Sequence, residues 1–211
     1  KDNPMSSFAY TQKELESNLL PEKTYAKAKV IVIPGNHSDP EKGIFDGWAT
    51  ESPYTGSVYY NTYFEVLDTF SMVYDKMTNK AELQHLGKYK NMRIYHMIGI
   101  ESSKGPEWGY YGTKFIKDII HSGRNIMPKD MSEEAEAKRE MKGRCAAEDI
   151  HEQVVAITTG IKPGQTAADP SYTTVKKILV PGDTFYNIVM GLEGVPQKRH
   201  NEVIFDDDIP F

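Results

Sequence analysis

The chain has 211 residues, 39% of them hydrophobic and 26% charged, an ordinary globular composition sized for one elaborate domain. No apolar run reaches the roughly 18–20 residues of a membrane span, and the opening "KDNPMSSFAY" lacks the apolar block of a signal peptide, so a cytosolic protein is expected. The net charge is −5, and Glu202, Asp206, Asp207 and Asp208 carry four of those five charges, so the near-neutral remainder argues against binding duplex DNA by charge alone while leaving room for a local basic groove.

"TYAKAKVIVIP" (24–34) alternates, with Ala26, Ala28, Val30 and Val32 on one face and Tyr25, Lys27, Lys29 and Ile31 on the other. This predicts a strand stopped at Pro34-Gly35. Residues 34–56 are rich in Gly, Pro, Asp and Ser without periodicity and read as a long loop. "SVYYNTYFEVLDTF" (57–70) alternates again: Val58, Tyr60, Phe64 and Val66 suit a core, while Tyr59, Asn61, Tyr63 and Glu65 point the other way. A turn-rich, lysine-bearing connection follows. "MRIYHMIGI" (92–100) then sets Met92, Ile94, His96, Ile98 and Ile100 against Arg93, Tyr95 and Met97.

The aromatic, Gly-rich "ESSKGPEWGYYG" (101–112) reads as a loop leading into a short helix, where Phe115, Ile116, Ile119 and Ile120 recur at helical spacing before Gly123. "DMSEEAEAKREMKG" (130–143) is a second, mixed-charge helix candidate. "RCAAEDIHEQVVAITTGI" (144–161) is ambiguous at first and strand-like from Val154, and "YTTVKKILVPGD" (172–183) predicts the last strand. Residues 1–193 form one domain on this reading, and 194–211, which lose the apolar pattern, a flexible linker and acidic tail.

About five strands with a helix after the third make a mainly β domain whose order is compatible with an OB-fold, a five-stranded Greek-key barrel that binds oligonucleotides on the outer face of strands two and three. In a small barrel the inward residues fill the core, so Tyr59, Tyr63, Arg93 and Tyr95 share the outer surface of two neighbouring strands. That is a stacking platform beside a cation, and stacking contributes about 1–3 kcal/mol per base whatever the base. Lys27, Lys29, Lys88 and Lys90 are placed to track phosphates, and Trp108, Tyr110 and Tyr111 to close over the strand from the Gly-rich loop. The competing reading is structural, since aromatic residues favour strands and also pack under loops.

Enzyme chemistry finds little support. "PGNHSD" (34–39) is similar to the Gly-Asn-His metal-ligand loop of calcineurin-like phosphoesterases, but the further ligands a two-metal site needs are missing, so a small metallophosphoesterase ranks low. "EDIHE" (148–152), with the single cysteine Cys145 nearby, is read as a solvated face. The lone cysteine allows neither an internal disulfide nor a thiolate zinc cage. The other histidines lack chelating spacing and no P-loop occurs, so no metal, cofactor or catalytic residue is expected.

The final "FDDDIPF" (205–211) closely resembles the C-terminal tip of bacterial single-stranded DNA-binding proteins (SSB). In that family the acidic run and Ile-Pro-Phe dock genome-maintenance enzymes. The resemblance implies that Asp206, Asp207 and Asp208 steer toward basic rims while Ile209, Pro210 and Phe211, with a terminal carboxylate, fill an apolar pocket bordered by Arg or Lys. The body is longer than a bacterial SSB. "LLPEKTYAKAKV", "YFEVLDTF", "MRIYHMIGI" and "TKFIKDIIHSGRNI" resemble instead a phage-encoded OB-fold protein binding single-stranded DNA (ssDNA). The expectation is a non-enzymatic, sequence-independent ssDNA-binding protein acting in the cytoplasm of a bacterial host in replication, recombination or repair. A tail mimic that sequesters host SSB-interacting enzymes without binding DNA is the alternative.

Overall fold

A computed structural model describes residues 19–39, 44–102, 107–127 and 143–192. Strand β1 (Thr24–Ile33) follows its sequence alternation throughout: Ala26, Ala28, Val30 and Val32 are at most 1% exposed while the residues between them are half-buried. It can be central because both edges find antiparallel partners, β4 (Val58–Asp75) on one side and β7 (Val154–Lys162) on the other. β4 is buried on its predicted face, with Val58, Tyr60, Phe64 and Val66 at 4% exposure or less. A register shift on β1 between Lys27 and Ala28, opposite Val66 and Asp68 of β4, marks a bulge that bends the pair.

The remaining strands are β2 (His37–Asp39), β3 (Ile44–Glu51), β5 (Lys80–His85), β6 (Arg93–Glu101) and β8 (Tyr172–Leu179). Among the described residues the helices are α1 (Glu107–Arg124), α2 (Gly143–Ile150) and α3 (Tyr186–Met190). The sheet is mainly antiparallel β in the order β2-β3-β4-β1-β7-β8, with β5 and β6 also paired to β4. Along β4, β6 takes residues 58–65 and β5 takes 70–75, which is why a single strand serves two partners on one edge.

This corrects several expectations. Among the described residues the sheet has eight strands, not about five. The stretch 34–56 is not one long loop: β2 and β3 form there, held by ladder pairing such as Thr50 with Tyr59 and not by any readable periodicity. β5 arises inside the lysine-bearing connection, its six largely polar residues pairing in register with the end of β4. α1 begins at Glu107, so the Gly-rich aromatic segment is helical from that point. The barrel does not close. β6 and β8 approach each other without a ladder, leaving a cleft of about 230 Å³ lined by His96, Met97, Ile98, Tyr111, Phe115 and Lys176. The helix candidate at 130–143 lies outside the described residues, except for Gly143 at the start of α2.

The helices explain how an open sheet keeps a dry core. α1 buries Ile119 and Ile120 and packs Phe115 and Ile116 against the strand residues. Its backbone lies close to β6 because Gly112 faces Gly99, where an added Cβ would overlap the Gly99 carbonyl. α2 adds Ala147 and Ile150, and its exit pins β1: Glu152 N–H donates to Val30 O (2.7 Å), Val30 N–H to Gln153 O (2.8 Å) and Val32 N–H to His151 Nδ1 (3.1 Å). α3 covers the opposite side of the sheet, where Tyr186 and Val189 form a second cluster with Ala156 and Leu179, packed by Tyr25, Phe70 and Leu83. The Tyr186 hydroxyl donates to Ser122 O at 2.6 Å, and burial pushes its pKa up to about 12.

Candidate nucleic-acid interface

The outward residues of β1, β4 and β6 fall into rows set by register. Ile31, Tyr63 and Tyr95 lie side by side across the three strands; Lys29, Glu65 and Arg93 form the next row, and Ile33, Asn61 and Met97 the row on the other side. Strand alternation sends all nine away from the core, and direct cross-strand neighbours stand close enough for their side chains to touch. The Tyr63 and Tyr95 rings are 5.8 Å apart at 54°, and the Arg93 guanidinium carbon stands 4.7 Å from the Tyr63 ring centroid. A cation over an aromatic face holds both groups in place. Tyr95 is 64% exposed and Met97 51%, so the cluster presents flat apolar surface to solvent.

Tyr59 lies beyond these rows on the same strand, half-buried and paired with Thr50 and Gly99. Of the four lysines expected to track phosphates, Lys29 shares a row with Arg93. Lys27 is diverted: its Nζ donates to Met190 O (3.3 Å) at the C-terminus of α3, which covers that end of β1. Its role is a helix-end cation.

Lys88 and Lys90 are exposed in the loop between β5 and β6. This loop is tied to β4 by Leu86 N–H to Thr69 O (2.9 Å), Asn91 N–H to Val66 O (2.8 Å), and the Thr69 hydroxyl to Lys88 O (2.7 Å). Tyr89, at φ 67°, packs against the core between the two lysines and directs both outward.

Tyr111 is 63% exposed but stands on α1 at the mouth of the β6–β8 cleft, beside Met97 and around the β6 edge from the Tyr63–Tyr95 pair. Trp108 and Tyr110 belong to the first turn of α1, and their side chains lie outside the described part of the structure. Below the platform, His96 faces inward as expected and stacks on Phe115, 4.2 Å between centroids at 14°. Burial lowers its pKa to about 4, with Lys162 adding to the effect. The residues expected to bind partners, Asp206, Asp207, Asp208, Ile209, Pro210 and Phe211, lie outside the described residues.

Met97 was placed in the outward set of β6 by its alternation with Tyr95, without being counted among the candidate contact residues. Of the exposed apolar side chains that sequence reasoning did not single out, two stand furthest into solvent. Tyr54, 95% exposed, and Met77, 96% exposed, sit on the turns at either end of β4, where no periodicity marks a residue as displayed. The enzyme-like motifs have structural uses: His37 pairs with Glu51 (3.1 Å), and His151 receives the Val32 N–H and packs on Trp48 at 5.3 Å. Among the described residues no three His, Cys, Asp or Glu side chains converge on a point, and no helix is long and apolar enough to cross a membrane. Comparison with protein-family models and with curated proteins finds no match to this chain.

Proposed function

We propose that this chain is a non-enzymatic, sequence-independent ssDNA-binding protein. It coats and protects single strands in phage DNA replication, recombination or repair, and its C-terminal DDDIPF recruits host enzymes. The observation that carries the reading is the Tyr63–Tyr95 pair, Tyr95 largely exposed and Tyr63 half-buried with Arg93 over its ring. Two adjacent rings offer stacking surface to any base, and the neighbouring cations, Arg93 with Lys29, Lys88 and Lys90, attract the phosphates between bases.

Strand order supports it further. Reading β1, β4, β6, β7 and β8 as five core strands gives the order β6-β4-β1-β7-β8 with α1 after the third. An OB-fold is a partly open five-stranded barrel that binds oligonucleotides on the face of its second and third strands, here β4 and β6, which carry the platform. On this reading β2, β3 and β5 are additions.

The test is titration of the full chain with oligo-dT across a salt series. Affinity should fall with a log–log slope of about −0.7 per phosphate contacted. Absence of binding at low salt would overturn the reading in favour of a tail mimic acting on host enzymes alone.

A further inference from the structure

Beyond Ser71, β4 leaves β1 and among the described residues pairs only with β5, so residues 72–83 form a two-stranded ribbon. Such ribbons are marginal in water unless braced. This one is braced at its root, where Phe70 and Leu83 pack on the Tyr186–Val189 cluster of α3. His85 meets the Phe70 ring edge-on at 5.5 Å and bonds Asp68 at 2.6 Å. The tip is ordered too: Asp75 Oδ1 accepts the Met77 N–H (2.8 Å) and the Thr78 N–H (3.4 Å), and the Tyr74 hydroxyl donates to Asn79 Oδ1.

What this bracing displays is Met77, 96% exposed, with Tyr74 at 52% and Val73 at 38% behind it. Lys76 and Lys80 flank the tip; with Asp75 and Glu82 the ribbon itself is neutral, and Lys88 and Lys90 of the loop that follows bring residues 72–90 to a net positive charge, opposite in sign to that of the chain. An apolar point between cations suits a nucleic acid better than an acidic or apolar protein surface: unbranched apolar side chains insert beside bases, and lysines take the flanking phosphates.

We propose that the β4–β5 ribbon is a wedge for the junction between single- and double-stranded DNA. Met77 packs against the last base pair, where the strand held on the β4–β6 face parts from its complement, and Lys76 and Lys80 contact the adjoining phosphates. The inference rests on the ssDNA-binding reading of that face.

The experiment compares the full chain with Met77→Ala and Met77→Lys on two ligands, oligo-dT and a forked duplex with the same dT arm and 2-aminopurine at the last pair. The wild type should brighten the 2-aminopurine and prefer the fork. Both variants should keep oligo-dT affinity and lose the brightening, with fork preference down roughly five- to tenfold, the low end of one lost stacking contact. Equal brightening and equal preference in all three proteins would overturn the wedge and leave the tip to protein contacts. Fork binding that needs Met77 without any oligo-dT binding would keep the wedge and sink the reading of the face, whereas no binding of either ligand by the wild type would end both.

Discussion

Tyr95 and Tyr63 share a cross-strand pair but differ in surroundings: Tyr95 is largely exposed, whereas Tyr63 is half-buried beneath the Arg93 guanidinium. Loss of Tyr95 therefore removes a stacking surface with little packing behind it. Tyr95→Ala should weaken oligo-dT binding by about 1–3 kcal/mol with the melting temperature nearly unchanged. Tyr63→Ala should weaken binding similarly and also lower the melting temperature, since it unseats Arg93. Binding isotherms paired with thermal melts check this, and unchanged affinity in both variants would show that the strand runs elsewhere. Much of this cluster was legible in the sequence, because period-two alternation assigns a face to every strand residue. The misplacement of Lys27 was not legible: its outward direction was right, but α3, over a hundred and fifty residues later, covers that end of the face.

The elements beneath the platform set its pH dependence. His96 is stacked on Phe115 and half-enclosed, and burial lowers its pKa from 6.5 to about 4. In the unfolded chain the imidazole takes up a proton as pH falls through about 6.5, while in the folded chain it stays neutral until about 4. Acid therefore favours unfolding across that window, and the stability contribution is present above it. At pH 5 the loss from this group is about 2 kcal/mol. His96→Phe, which keeps a ring against Phe115, should flatten the stability profile between pH 6.5 and 4 in urea unfolding series. A wild-type profile as steep as the variant's would refute the assignment. At the same scale, β1, β4, β6 and the later strands were recoverable because half-buried strands alternate. β2, β3 and β5 were not: they are short, edge-lying or polar, and form because β4 or a neighbour offers a ladder.

For the whole molecule, the distribution of charge matters more than its total. Four of the five net negative charges lie in residues 202–211, and the cations of the proposed interface lie on β1, β6 and the loop between β5 and β6. Opposite charges on one chain compete with a polyanion for the same surface, and more strongly when salt is low. Deleting residues 202–211 should therefore tighten oligo-dT binding at low salt, the difference shrinking as salt rises, and should abolish capture of host enzymes that bind SSB tails. Equal affinities at every salt concentration would exclude the competition.

Taken by itself, the sequence determined the inward and outward residues of the main strands, the mainly β class, the helix that follows β6, and the acidic run in residues 202–211. Each is a local property, written in alternation, helical spacing or a short contiguous motif. Tertiary structure alone decided that Tyr63, Tyr95 and Arg93 share adjacent rows and touch, that α3 claims Lys27, that the sheet stays open between β6 and β8, and that β4 runs on into a braced ribbon tipped by Met77. These depend on register and on contacts between residues distant in the chain. Periodicity assigns a residue to a face, but only the pairing of strands assigns it a neighbour.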